Sequence, residues 1–249
     1  MVAQFILHLE KLFKRSMKIS IIIPVVNEAS YIGRLLDRLL VEQQSTTPGF
    51  SILEIIVVDG ASEDASVEIA KSKGAKIEHS SIRRRSIQLN LGAQSAQGDI
   101  LYFVHSDTLP PLGFVKDIED SISAGYRMGC YRFQFDSDKW YLRINSFFTR
   151  FDFPWCRGGD QTLFVFKQDF MALGMFNEEC LIMEEYEYLK KARKLYKFKI
   201  IPRDVMVSAR KYDRNSWWTV QQANRKVFQG WSSGVEQSKL LEFYRNALR

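Results

Sequence analysis

Cysteine is scarce: Cys130, Cys156 and Cys180 are the only three in the chain, and no two form a Cys-x-x-Cys pair. That spacing speaks against a cysteine zinc cage or a disulfide framework, and the odd count fits a reducing cytoplasm. No apolar run approaches the roughly 18 residues that a membrane-spanning helix needs. The opening MVAQFILHLEKLFKRS is interrupted by His8, Glu10 and Lys11 and lacks a small-residue cleavage site after a basic start, so it reads poorly as a signal peptide. Internal repeats and low-complexity linkers are also missing, which leaves one domain with two functional halves.

What is present is the composition of a globular protein, with 46% hydrophobic and 26% charged residues over 249 positions. A net charge of +6 favours anionic partners: a nucleoside diphosphate, an anionic membrane surface or nucleic acid. Charge alone does not choose among them. Phe5, Ile6, Leu9, Leu12 and Phe13 recur at helical spacing. Residues 1–16 are therefore an extension, either an amphipathic helix or sequence upstream of a start at Met17.

Strand-like runs alternate with helix-like segments through the first half. Strands are expected at Ile19–Pro24, Ile52–Val58, Ala75–Glu78 and Ile100–Val104. Helices are expected at Tyr31–Leu40, Asp64–Lys73 (closed by Gly74) and Ser86–Gln97, with a turn at Thr46–Gly49. This alternation predicts a parallel sheet flanked by helices, with ligands beyond the carboxyl ends of the strands. After Pro110 the pattern gives a helix at Phe114–Ile122, strands at Gly129–Phe135, Leu163–Phe166 and Phe198–Ile201, and a helix at Tyr186–Leu195. Trp140–Trp155 is rich in aromatics and carries no assignable period. From Asn215 the tail is helix-prone, and its Trp217, Trp218 and Trp231 read as packing on the domain, with a membrane contact as the alternative.

Polar clusters stand at the ends of three expected strands. In Pro24-Val25-Val26-Asn27-Glu28, a loop entering a helix can hold a base or ribose; alternatively Asn27 only caps a helix starting near Ser30. In Asp59-Gly60-Ala61-Ser62-Glu63-Asp64, two carboxylates flank a turn. Asp64 is equally a candidate helix cap, whereas a strand-end Asp59 is expected to point into the ligand crevice. In His105-Ser106-Asp107, an imidazole and a carboxylate two residues apart on an extended segment would project to one side. Asp107 there offers the hard oxygen that Mg²⁺ or Mn²⁺ prefers, with His105 beside it.

These three clusters, in this order, resemble the nucleotide-sugar-binding half of family 2 glycosyltransferases. The resemblance implies a GT-A fold, a Rossmann-like α/β three-layer sandwich with a mostly parallel mixed sheet. Where that family has Asp-x-Asp with a metal-binding final Asp, this chain has His105-Ser106-Asp107. With the stretch Arg85–Ala93, which includes Asn90, the replacement is similar to a bacterial subgroup of radical-SAM/selenodomain-associated transferases.

By the same resemblance, Met183-Glu184-Glu185-Tyr186-Glu187 matches the acidic catalytic motif, with Glu185 in the place of the general base and Glu184 second. Taken alone, acidic residues at a helix start are simply good dipole electrostatics. Arg157-Gly158-Gly159-Asp160-Gln161 resembles a glycine-containing acceptor-side loop, with Gly159, Asp160 and Gln161 as its candidates; an ordinary polar turn is the alternative. Arg85 and Arg210 match basic positions suited to the donor phosphates.

The resulting expectation is a metal-dependent inverting transferase. Its donor is a nucleotide-diphosphate sugar held by Pro24, Asn27, Glu28, Asp59, Ser62, Asp64, Arg85, Asn90, Ser106 and Arg210. The acceptor is open, either lipid-linked or a small molecule. Nucleic acid is not expected as a partner; the expected location is the cytoplasm, with a peripheral contact at the inner face of the membrane left open. Residues 17–212 form the transferase domain (17–110 donor half, 111–212 acceptor half) and 213–249 a helical tail. The alternatives are nucleotidyl transfer, which the lack of a glycine-rich phosphate loop ending in Lys disfavours, and a degenerate transferase that only binds nucleotide or membrane.

Overall fold

The first β-branched run forms a strand slightly longer than its apolar pattern, β1 at Met17–Val25, with Ile19, Ile21, Ile22 and Ile23 wholly buried. The computed structural model describes residues 16–45, 49–157 and 159–248. The expected N-terminal helix, most of the Thr46–Gly49 turn and Gly158 of the acceptor loop lie outside the described residues.

β2 (Phe50–Asp59), β3 (Lys76–His79) and β4 (Ile100–Phe103) join β1 in parallel, in the order β3-β2-β1-β4. The sheet then turns mixed. β7 (Leu163–Phe166) is antiparallel to both β4 and β6 (Met128–Phe135), while β8 (Phe198–Val207) runs parallel to β6. The two-residue β5 (Thr108–Leu109) closes the edge against β8.

Because successive strand side chains point to opposite faces, each strand feeds two cores. Ile21, Val57, Tyr102 and Phe164 meet α1 (Ala29–Gln44) and α4 (Phe114–Ser123), with α2 (Ser66–Ser72) at the margin. Ile22, Val58, Phe103 and Val165 meet α3 (Arg85–Ser95), α6 (Lys167–Ala172) and α7 (Glu184–Ala192). The result is the expected three-layer α/β sandwich. α1 buries Ile32, Leu35, Leu36 and Leu39, each worth about 1.5–3 kcal/mol of transfer free energy. α3 sits so close to the sheet that a Cβ on Gly92 would lie 2.5 Å from Ile22 Cγ2.

The second half departs further from its sequence pattern. β8 continues six residues past Ile201, through Pro202, because the register shifts there: Ile201 pairs Tyr131, but Asp204 pairs Arg132. The bulge leaves Pro202 and Arg203 outside the ladder, where a missing N–H costs nothing. The aromatic stretch contains α5 (Trp140–Phe148) and a 3₁₀ turn at Pro154–Cys156. The tail forms α8 (Lys211–Arg214), α9 (Trp217–Ser232) and α10 (Gln237–Ala247). α9 packs through Val220, Ala223 and Val227, while Trp218 stays exposed. Among the described residues, no helix is long and apolar enough to cross a membrane.

Candidate active site

The carboxyl ends of β1, β2 and β4 lie side by side, so their loops form one rim. The first two loops are stitched together. Asn27 N–H donates to Ser62 Oγ at 3.0 Å, and Glu63 N–H donates back to Asn27 Oδ1 at 2.8 Å. Asn27 thus does not cap α1; at φ 56° its carbonyl amide ties the two loops instead. Asp64 is not the N-cap of α2, which is Ala65, but its carboxylate accepts from the first amide of two helices: Oδ2 from Ala29 N–H and Oδ1 from Ser66 N–H, each at 3.0 Å. Asp59 is buried, accepting from Ser62 N–H at 3.0 Å and lying 3.5 Å from His79 Nδ1. Pro24 is the last β1 position but one, paired with Val58.

Beneath this rim, buried Gln88 on α3 donates to Val25 O at 3.0 Å and Val58 O at 2.8 Å, pinning both strand ends. Gly60 is the residue that fits above it, since a Cβ there would lie 2.8 Å from Val26 Cγ2 and 2.9 Å from Gln88 Nε2. Arg83 holds the Gly60 and Ala61 carbonyls from outside. Sequence reading missed the parts played by Gln88 and Arg83. A glutamine on an amphipathic helix and one arginine of three in a row carry no signal of what they touch.

His105–Asp107 is a turn, closed by Thr108 N–H to His105 O at 3.1 Å, rather than the expected extended segment. Its two charged groups therefore have separate partners. His105 Nδ1 lies 3.6 Å from Asp160 Oδ1, and Nε2 lies 3.4 Å from Glu185 Oε1. Burial opposes a charged imidazole, but these two carboxylates outweigh it and lift His105 to about 9. Asp107 Oδ2 instead meets Arg210 Nη2 at 3.0 Å, and Arg210 grips both Glu28 oxygens at 2.8 Å. Burial raises Asp107 above the usual carboxylate range, with Arg210 and His105 pulling the other way. Ser106 between them is buried.

Glu184 and Glu185 open α7, and their roles divide. Glu184 is 1% exposed and accepts from Arg85 Nε, leaving the Arg85 side chain partly exposed. Glu185 faces His105; burial would raise it, but Arg85 and His105 hold it below the ordinary carboxylate value. In the Gly159–Gln161 turn, Asp160 reaches His105 and is likewise held low: burial opposes this, and His105 and Lys211 overcome it. Gln161 is buried and turned inward, accepting from Arg157 Nη1 at 3.1 Å. Asn90 also faces inward, bonded to Phe176 N–H at 3.1 Å, Phe176 O at 2.9 Å and Glu178 Oε1 at 3.1 Å. Asn90 is thus committed to buried partners, whereas Gln161 lines a small cavity together with His105 and Glu185.

Among the described residues, no group of three or more His, Cys, Asp or Glu is arranged to hold a metal. Asp107 alone fits as a single hard-oxygen ligand, with the remaining positions left to phosphate oxygens and water. Non-glycine residues with left-handed backbone gather here: Asn27, Ala61, Thr162 and Met183 all flank these loops. Such conformations cost about 1–3 kcal/mol each and persist where surrounding contacts over-determine them.

Three likenesses place this geometry among known proteins. A glucosyl-3-phosphoglycerate synthase of Petrotoga mobilis is 32% identical over 103 residues, covering 38% of this chain and 31% of that one. S. aureus TarS 1-349 in complex with UDP superposes with a TM-score of 0.60 at 18% identity, over 78% of this chain and 61% of that one. A mannosyltransferase from Pyrobaculum calidifontis in complex with GDP-Man and Mn²⁺ gives 0.63 at 16% identity, over 98% of this chain and 81% of that one. The chain thus spans under two thirds of the first two proteins. The structural likenesses establish the fold as GT-A. The sequence model for Glycosyl transferase family 2 matches residues 20–178, from inside β1 to the loop that Asn90 clasps, and on that match the chain belongs to glycosyl transferase family 2.

Proposed function

We propose that the chain transfers a sugar from a nucleoside-diphosphate sugar to an acceptor hydroxyl, with inversion at the anomeric carbon and with Mg²⁺ or Mn²⁺ bound. The observation that carries the reading is the convergence of Asp107, Arg210, His105 and Glu185 at the carboxyl ends of the parallel strands in a family 2 chain. Asp59 and the Pro24–Glu28 loop are the nucleotide side, with Ser62 and Asp64 fixing the loop's shape. Asp107 would hold the cation, which when bound offsets charge on the diphosphate.

Glu185 is the general base. It is ionised at neutral pH, and it faces the strand-end turn, whereas Glu184 is committed to Arg85. As the acceptor oxygen attacks the anomeric carbon, Glu185 takes its proton and the carbon–oxygen bond to the diphosphate breaks. Arg210, beside Asp107, would hydrogen-bond the departing diphosphate. Asp160 orients His105, and His105 orients Glu185.

The test is product analysis with a panel of nucleotide sugars, with and without Mn²⁺. Release of a nucleoside diphosphate together with a glycosylated acceptor supports the reading. Release of pyrophosphate would mean nucleotidyl transfer, and donor binding without turnover over a broad acceptor panel would mean a binding module.

A further inference from the structure

We propose that α5 and the loop after it form a docking surface for an anionic lipid bilayer, a site separate from the crevice. Trp140, Ile144, Phe147, Phe148 and Phe151 follow helical spacing along one side, and all are exposed, Trp140 at 71%. Of the whole helix only Leu142 is buried. Phe153 and Trp155 extend the face, with their rings stacked at 5.6 Å, and Trp155 returns to Phe148 at 5.5 Å. At the other end Trp140 leads through Tyr141 to Trp217 and then Trp218, which is 70% exposed. A continuous aromatic surface of this kind marks an interaction site rather than ordinary surface scatter.

The chemistry of the surface selects its occupant. Rings of Trp and Phe with arginine among them suit the headgroup boundary of a bilayer, where aromatic rings and aliphatic stems bury while cations stay with phosphates. Arg143 and Arg150 are exposed and have no acidic partner among the described residues, and Arg150 lies over the Phe147 ring at 4.1 Å. Asp152 is already paired with Arg193, and Lys139 with Asp213, while Asp138 is the other carboxylate on the segment. A two-fold contact between copies would bring Arg143 and Arg150 against like charge, whereas anionic lipid matches them and the overall charge of +6. In sequence the surface leads by Pro154–Cys156 toward the Gly159–Gln161 turn that carries Asp160, so docking would turn the acceptor side of the crevice toward the headgroups.

Co-sedimentation of the full chain with vesicles tests this without any sugar, so its failure leaves the transfer reading untouched. The chain should bind vesicles of an equal mixture of phosphatidylcholine and phosphatidylglycerol at least about tenfold better than phosphatidylcholine alone. The double variant F147S/W155S should lose about tenfold or more in binding, with unchanged melting because both side chains are exposed. R143Q/R150Q should weaken binding to the mixture only. Quenching of wild-type tryptophan emission by brominated lipid gives the same answer should a variant fail to fold. Wild type that ignores the mixture, or a folded F147S/W155S that binds as wild type does, overturns the proposal. So does a concentration-dependent dimer in light scattering that the same substitutions abolish.

Discussion

Arg210 Nη2 stands 3.0 Å from Asp107 Oδ2, the carboxylate that would hold the cation. Its terminal nitrogens also hold Glu28 at 2.8 Å, so the guanidinium is shared between the first and third strand-end loops. A dication and a guanidinium on one carboxylate repel each other, so binding of metal and diphosphate should move Arg210 off Asp107 and onto phosphate oxygens.

On this basis Asp107→Asn should lower nucleoside-diphosphate affinity in Mn²⁺ by about tenfold or more, with little change in melting temperature. Calorimetry in Mn²⁺ and in EDTA measures it. The difference should vanish in EDTA; equal affinity of wild type and variant in Mn²⁺ would remove Asp107 from the metal site. Arg210→Gln should slow turnover by about 10²-fold while metal affinity holds or rises.

The neighbouring glutamates should separate by readout. Glu185→Gln should cut turnover by about 10²–10⁴-fold with donor affinity nearly unchanged. Glu184→Gln removes a buried partner of Arg85 and should instead cost stability, about 1–3 kcal/mol, seen in urea unfolding. If Glu184→Gln loses turnover and Glu185→Gln keeps it, the two roles are exchanged.

His105 gives a pH signature. Its value is raised from 6.5 in the ordinary case to about 9 when folded, so its contribution to stability is complete below about 6.5 and is lost as pH rises through about 9. The unfolding free energy from urea titrations in EDTA should fall across that window by on the order of 3 kcal/mol. His105→Gln should flatten the profile, and an unchanged slope would show that the imidazole is not charged in the folded chain.

Gly60→Ala should destabilise by about 1–3 kcal/mol, because Val26 and Gln88 must both give way. The mutant should also weaken donor binding, since Gln88 ties the β1 and β2 ends together. A variant with wild-type stability would mean that this corner repacks freely.

The first half was legible because its elements obey single-period rules. Ile19–Pro24 and Tyr31–Leu40 bury one consistent face, and the observed β1 and α1 differ from them by a few residues at the ends. α5 was hard to assign, because the consecutive apolar residues Trp140, Tyr141 and Leu142 blur the helical spacing of its exposed side. Pro202 and the charges after it hid the second half of β8 until the bulge against Arg132 accounted for them. In the site, residue type was readable but aim was not. Asn90 has the chemistry of a sugar ligand yet serves the Phe176 backbone and Glu178, partners distant in sequence.

The Glu28–Arg210 pair spans 182 positions of chain. A ribosome delivers the chain from its amino end, so Glu28 and then Asp107 are exposed long before their common counter-ion is made. Through that interval Glu28 and Asp107 lack the guanidinium they share in the finished fold. Addition of the last strand and its following turn therefore completes an electrostatic circuit as well as a sheet. A fragment ending at residue 178, where the family match stops, would keep the donor loops but carry neither Arg210 nor the Glu184–Glu185 helix start.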